Sequence, residues 1–174
     1  MPTVTTTVGG STSNSFVSVS ETDTYCEARP NASAWTDETD DDAKARAVIH
    51  ATRELNNRVW IGSAVTDTQA LAWPRQYATD PDSAFQTYYD TDVVPQRVKD
   101  ACMELALEVL KNGTTDISAQ DAKQNVIEKT VGPLTTRYSE PYQRTRGLDR
   151  YPLVMGYIRP LLAGSPWQSA IVRG

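Results

Sequence analysis

The chain has 174 residues, 39% of them hydrophobic, with 17 Lys and Arg against 22 Asp and Glu for a formal charge of −5. This length fits one domain around one core, since single cores commonly serve about 100 to 200 residues. The apolar share is a little under the usual ~45 to 50%, which predicts that part of the chain stays outside that core. The longest apolar runs, such as Leu153-Val154-Met155, fall far short of the roughly 20 residues that cross a bilayer. The N-terminus shows no basic-then-apolar signal pattern. A soluble, non-secreted protein with no membrane partner is expected.

Residues 1–15, rich in Thr, Ser and Gly, lack the apolar side chains that offset ordering entropy and predict a flexible N-terminal arm. Phe16-Val17-Ser18-Val19 alternates as a short extended piece. Ser20-Glu21-Thr22-Asp23 then resembles a capping box opening a helix that runs to about Arg29, before Pro30 and Asn31 break it. A second helix is predicted from a cap at Thr36 or Asp37 to about Val59. Its acids Glu38 and Asp40 to Asp42 would offset the positive end of the dipole. Ala43, Ala47, Val48, Ala51 and Leu55 form its buried face, and Lys44, Arg46, Arg53 and Glu54 its solvated one. The acidic run lacks the spacing, central Gly and terminal Glu of a calcium loop.

Residues 60–94 read as a long structured loop, with Trp60, Trp73, Pro74 and Arg75 as its structural motif. Both tryptophans are expected to lid the helical core, with a stacking platform for bases as the lesser alternative. Pro95 fits a first helical position. Val98, Ala101, Cys102, Leu105, Ala106, Val109 and Leu110 then trace an i, i+3, i+4, i+7 stripe up to a cap at Asn112-Gly113. Two β-prone runs joined by Gly132-Pro133 predict a hairpin over about 126–138. Pro152 can open a last helix with Leu153, Val154, Tyr157, Ile158, Leu161 and Leu162 inward, which Pro160 kinks or divides. The predicted fold is mainly α, a small helical bundle with a short β-hairpin and extended N- and C-terminal arms. Its parts are an arm at 1–15, a domain at 16–163 and an extended tail at 164–174.

Charge is unevenly spread. Residues 1–42 hold eight acids and Arg29 alone, net −7, while residues 137–174 hold six arginines against Glu140 and Asp149, net +4. Opposite ends of this kind could meet head to tail between copies, or could be ordinary solvated surfaces.

No catalytic constellation is visible. The lone His50 sits in mid-helix with no nucleophile patterned around it, and Gly9-Gly10 lacks the strand and the Gly-Lys-Ser/Thr of a phosphate loop. Cys26 and Cys102 stand apart with no metal-ligand spacing, and Cys102 is expected in the core. We therefore expect no enzyme, no catalytic, cofactor-binding or metal-binding residues, and no cofactor.

Ser15-Phe16-Val17-Ser18-Val19-Ser20-Glu21-Thr22-Asp23-Thr24-Tyr25, Leu71-Ala72-Trp73-Pro74-Arg75 and Val94-Pro95-Gln96-Arg97-Val98-Lys99-Asp100-Ala101 occur in that order. With Glu104-Leu105-Ala106 and Glu128-Lys129-Thr130-Val131-Gly132-Pro133-Leu134, they resemble the head-completion or head-tail adaptor family of siphophage-type viruses. Some members of that family carry a DnaT-like single-stranded-DNA-binding label. The resemblance covers roughly residues 15–163; the arm and the run from Thr79 to Asp92 depart from it. It implies a structural virion protein at the head-tail junction, assembled in the host cytoplasm. Copies would form a closed homo-oligomeric ring, about twelve-fold, docked beneath the portal and linked to a tail or stopper protein. Genome DNA would pass its lumen without sequence-specific binding. Trp167, Ile171, Val172 and Arg173 would dock on the portal or a neighbouring copy, since an unpaired apolar tail would otherwise sit in water. The alternative is a single-stranded-DNA-binding module, supported by C-terminal arginines interleaved with Tyr138, Tyr142, Tyr151 and Tyr157 and opposed by the net acidity.

Overall fold

The computed structural model describes residues 2–85, 87–112 and 147–164, and the backbone of 128–131 and 134–137. In chain order the helices are α1 (Val19–Glu27), α2 (Ser33–Thr36), α3 (Asp41–Asn56), α4 (Gln96–Lys111) and α5 (Pro152–Ile158). Short strands β1 (Ser63–Ala64) and β2 (Arg75–Gln76) pair antiparallel, as do β3 (Glu128–Val131) and β4 (Leu134–Arg137). The mainly α fold with a small hairpin is what the residue pattern predicts, and Val131 pairs with Leu134 at the hairpin's closed end.

Helix α4 is the axis of the domain, with α3 packed along one side and α5 along another. The predicted stripe is buried except for Leu110, which is half-buried, and Met103, Glu104 and Leu107 are buried as well. A helix apolar over more than one stripe is one covered from several directions, and α1 and α2 supply the additional cover. Pro95 is the cap and not the first helical residue: its ψ of 141° is extended, and its carbonyl accepts from Val98 N at 2.9 Å.

The predicted second helix starts later than expected, as α3 from Asp41 to Asn56, and a separate short helix, α2, ends where its cap is expected. Trp35 of α2 is buried, and its Nε1 donates to Asp23 Oδ1 at 2.8 Å, which ties α2 to α1. The chain then breaks, and Asp40 caps α3 by accepting from Asp42 N at 2.9 Å. Asp41 and Asp42 lie in the first turn, where the dipole favours anions. Ala43 and Lys44 are half-buried. The Lys44 ammonium lies 5.5 Å from the Trp35 ring centroid and 3.0 Å from Asp23. Its stem covers the indole while its head finds a carboxylate.

The expected flexible arm is instead folded back over residues 2–15. The Thr5 amide donates to Asn14 Oδ1 at 2.8 Å, Asn14 Nδ2 donates to Thr3 O at 2.8 Å, and the Ala70 amide donates to Gly10 O at 3.1 Å. Ser13 donates to Thr7 O, and the Phe16 amide donates to Thr52 Oγ1 at 3.2 Å. Counting apolar side chains misses this order, because Thr, Ser and Asn here satisfy backbone groups directly. Burial of Phe16 and Val17 anchors the segment.

Helix α5 begins at Pro152 and gives way at Arg159 to a 3₁₀ turn that contains Pro160. Val154, Ile158 and Leu161 face inward, but Leu153 is 49% exposed and not part of the core. The chain after α5 joins the start of the long loop, with Ile61 N donating to Leu161 O at 3.0 Å and Ala163 N to Val59 O at 2.9 Å.

Cys26 and Cys102 are free and buried. Burial pushes the Cys26 thiol up to about 11, with the Glu104 carboxylate adding to it, and pushes Cys102 up to about 12. The thiolate is the reactive form, so neither thiol should react with a disulfide reagent at neutral pH except through opening of the fold. The expected labelling rate rises with added urea in step with unfolding; fast stoichiometric labelling of the native chain would contradict the burial.

Candidate functional site

The loop between α3 and α4 is organised by its two tryptophans. Trp60 and Trp73 are buried and meet edge to face, with centroids 5.8 Å apart at 77°. The bond between Trp73 and Pro74 is cis. Arg75 turns its guanidinium inward: Nε donates to Ile61 O at 2.7 Å, Nη1 to Ala72 O at 3.1 Å and Nη2 to Gly62 O at 2.7 Å. Its burial lowers its pKa. The four predicted motif residues therefore act together as a structural knot. Two buried indoles cannot stack a base, and an arginine committed to three carbonyls is poorly placed to hold a phosphate.

From this knot a hairpin-like arm projects. Thr79 bridges Tyr88, Asp80 N donates to Thr87 O at 2.9 Å, and Tyr89 N donates to Ala78 O at 2.9 Å. Alternation places Tyr89 inward, edge-on to Trp73 at 5.9 Å and 87°. Burial and a hydrogen bond to Asp80 push the Tyr89 hydroxyl up to about 12. At the other end Arg97 of α4 grips Asp82 with two bonds, Nε to Oδ2 at 2.8 Å and Nη2 to Oδ1 at 2.7 Å. The arm is thus pinned at both ends while its outward side chains stay bare. Phe85 is 89% exposed, Tyr77 68% and Tyr88 59%, the last two touching edge-on at 6.0 Å. Asp80, Asp82, Asp90 and Asp92 flank them, and no Lys or Arg occurs between Arg75 and Arg97.

A cleft of about 480 Å³ lies between α1, α4 and α5, walled by Tyr25, Arg29, Asn31, Leu153 and Tyr157 over Glu104. Glu104 is buried, and its Oε1 accepts from Tyr25 Oη and from Arg29 Nε, each at 2.6 Å. Burial and the Glu104 carboxylate both raise the Tyr25 pKa, so its hydroxyl stays a donor. Glu104, the one buried carboxylate of α4, thereby ties α1 to the axis helix. His50 is half-buried on α3, and among the described residues no group of three or more His, Cys, Asp or Glu side chains could hold a metal ion. Among the described residues, no helix is long and apolar enough to cross a membrane.

The basic C-terminal portion is described in part. Arg159 is exposed after α5, Tyr151 is buried, and Tyr157 is half-buried on the cleft. Tyr157 keeps a partly exposed ring in the cleft that Arg29 also lines. Tyr138, Tyr142, Trp167, Ile171, Val172 and Arg173 lie outside the described residues. Of that portion's arginines the described side chains are Arg150 and Arg159, while the exposed aromatics Tyr77, Phe85 and Tyr88 belong to the arm. Among the described residues Phe85 and Tyr77 are the most exposed aromatics, yet composition and periodicity do not single them out.

Residues 2–174 match the model of a family described as "Putative DnaT-like ssDNA binding protein". No curated protein and no solved structure matches the chain. The family match covers the DnaT-like part of the resemblance drawn from the sequence; the head-tail adaptor part has no match behind it.

Proposed function

Because the chain belongs to this DnaT-like family, we propose that it is a non-enzymatic protein that binds single-stranded DNA, and that its basic C-terminal portion makes the contact. The observation that carries this reading is the family match over residues 2–174. The net +4 of residues 137–174 within an acidic chain indicates where phosphates would go. Recognition would be weak and sequence-tolerant, because the acidic remainder of the molecule repels the backbone. Charge reversal tests the location. Arg144→Glu together with Arg159→Glu, the latter at an exposed position, should weaken binding of an oligothymidine and flatten its salt dependence. Unchanged binding would move the contact elsewhere.

A second reading reverses the order suggested by the sequence alone: the chain as a head-tail adaptor subunit, in a ring beneath a portal and joined to a tail or stopper protein. One feature favours it, the pinned, acid-flanked arm whose aromatics face water. Ordered exposed aromatics suit a protein interface, and an acidic ring lumen would let DNA slide. Light scattering of the chain with portal rings, followed by negative-stain imaging, separates the readings. Added rings on the portal support the adaptor, and a portal of unchanged mass opposes it.

A further inference from the structure

We propose that the arm from Tyr77 to Val93 is a self-association surface that docks on the basic C-terminal portion of a second copy of this chain. Three observations lead there. The arm is held in place before any partner arrives, by Tyr89 on Trp73 and by the paired bonds from Arg97 to Asp82. Docking therefore costs little ordering entropy. Its outward residues Tyr77, Phe85 and Tyr88 find no cover among the described residues, with Val93 a further exposed apolar residue. Such a cluster is the kind of patch that a partner buries, and aromatic side chains are the commonest anchors of interfaces.

The third observation is charge, and it selects the occupant. Four aspartates and no cation lie between Arg75 and Arg97; Asp82 is paired with Arg97, which leaves Asp80, Asp90 and Asp92 to meet residues 137–174, net +4. A surface of one sign steers a surface of the other and sets the register of the contact. The same chain carries both. Because arm and basic portion are different surfaces, the contact is heterologous: each copy gives its arm to one neighbour and receives an arm from another, so association continues until it closes or the copies run out. The inference does not depend on the DNA reading. If both hold, oligonucleotide and arm compete for the same arginines.

Sedimentation velocity on the full chain tests it, in about 50 mM and about 500 mM salt, a range over which exposed charges pass from weakly to strongly screened. The expected result is concentration-dependent association at low salt that weakens at high salt. Phe85→Ser with Tyr88→Ser should weaken it about tenfold or more, as expected when anchor aromatics are removed. Asp90→Arg with Asp92→Arg should abolish it, and both variants should keep the wild-type melting temperature because these side chains are exposed. A wild type that stays monomeric at low salt overturns the proposal, as do variants that associate like the wild type. Loss of oligothymidine binding in the Phe85→Ser, Tyr88→Ser variant with its mass unchanged would overturn it too, and would give the aromatics to DNA. Failure of the wild type to bind DNA, with self-association intact, would remove the DNA reading and leave this one standing.

Discussion

Trp73→Ala should lower the stability of the domain by about 3 to 5 kcal/mol, as large aromatic truncations in cores do. The indole is 1% exposed and touches two other aromatics, Trp60 and Tyr89. Its removal opens a cavity at the root of the loop and releases the inward edge of the arm. Trp73→Phe should cost much less, under about 2 kcal/mol, because a ring of related shape remains. The indole Nε1 has no hydrogen-bond partner among the described residues. Urea unfolding followed by circular dichroism reads both variants, and the midpoint should move while the slope does not. Equal losses for the two would mean that the Nε1 hydrogen is bonded after all.

Gly62→Ala is expected to be nearly as damaging for a backbone reason. Gly62 has a φ of +72°, and a Cβ there would stand 2.8 Å from Ala78 N and closer still to Gln76 O. Those are backbone atoms of and beside β2, which pairs with β1, so they cannot swing aside. The left-handed conformation alone costs an L-residue about 1 to 2 kcal/mol. With the clash added, we expect about 3 kcal/mol, or about 6 to 12 °C in melting temperature for a chain of this size. Gly156→Ala is the control. It lies within α5 with nothing within 4 Å of the added carbon, and should stabilise by about 0.5 to 1 kcal/mol. A Gly62→Ala protein that melts with the wild type would refute the close approach of this turn to β2.

Where structure follows from local periodicity, the sequence was enough. Helix α4 was legible from its stripe, α5 from Pro152, and the hairpin from two β-prone runs around Gly132-Pro133. The start of α1 shows how local signals compete. Ser18 and Ser20 each have an acid three residues on, Glu21 and Asp23, and the structure uses Ser18 with Glu21 in a reciprocal capping box. Burial of Val17 just before the cap decides between them, and burial is a tertiary fact. The folded N-terminal segment was invisible because its order comes from Asn14 bonding Thr3 and Thr5 within the segment and from Thr52 reaching it from α3. The knot at Trp60 and Trp73 was legible as a lid. The role of Arg75 was not, because a guanidinium reads as a surface charge until its carbonyl partners are placed. The arm depends on Arg97 reaching Asp82 and on Tyr89 reaching Trp73, neither of which has a local signature. The tail residues assigned to an interface, Trp167 to Arg173, lie outside the described residues.

The most direct test of the account is the affinity of the purified chain for a fluorescent oligothymidine, measured by anisotropy across salt. Single-strand binding through a few arginines predicts saturable binding at low salt that falls about tenfold to a hundredfold between about 50 and 200 mM, at a slope near −0.7 per phosphate neutralised. An anisotropy that never rises at about 50 mM salt, where electrostatic attraction is least screened, would contradict the DNA-binding reading and leave the adaptor reading in its place.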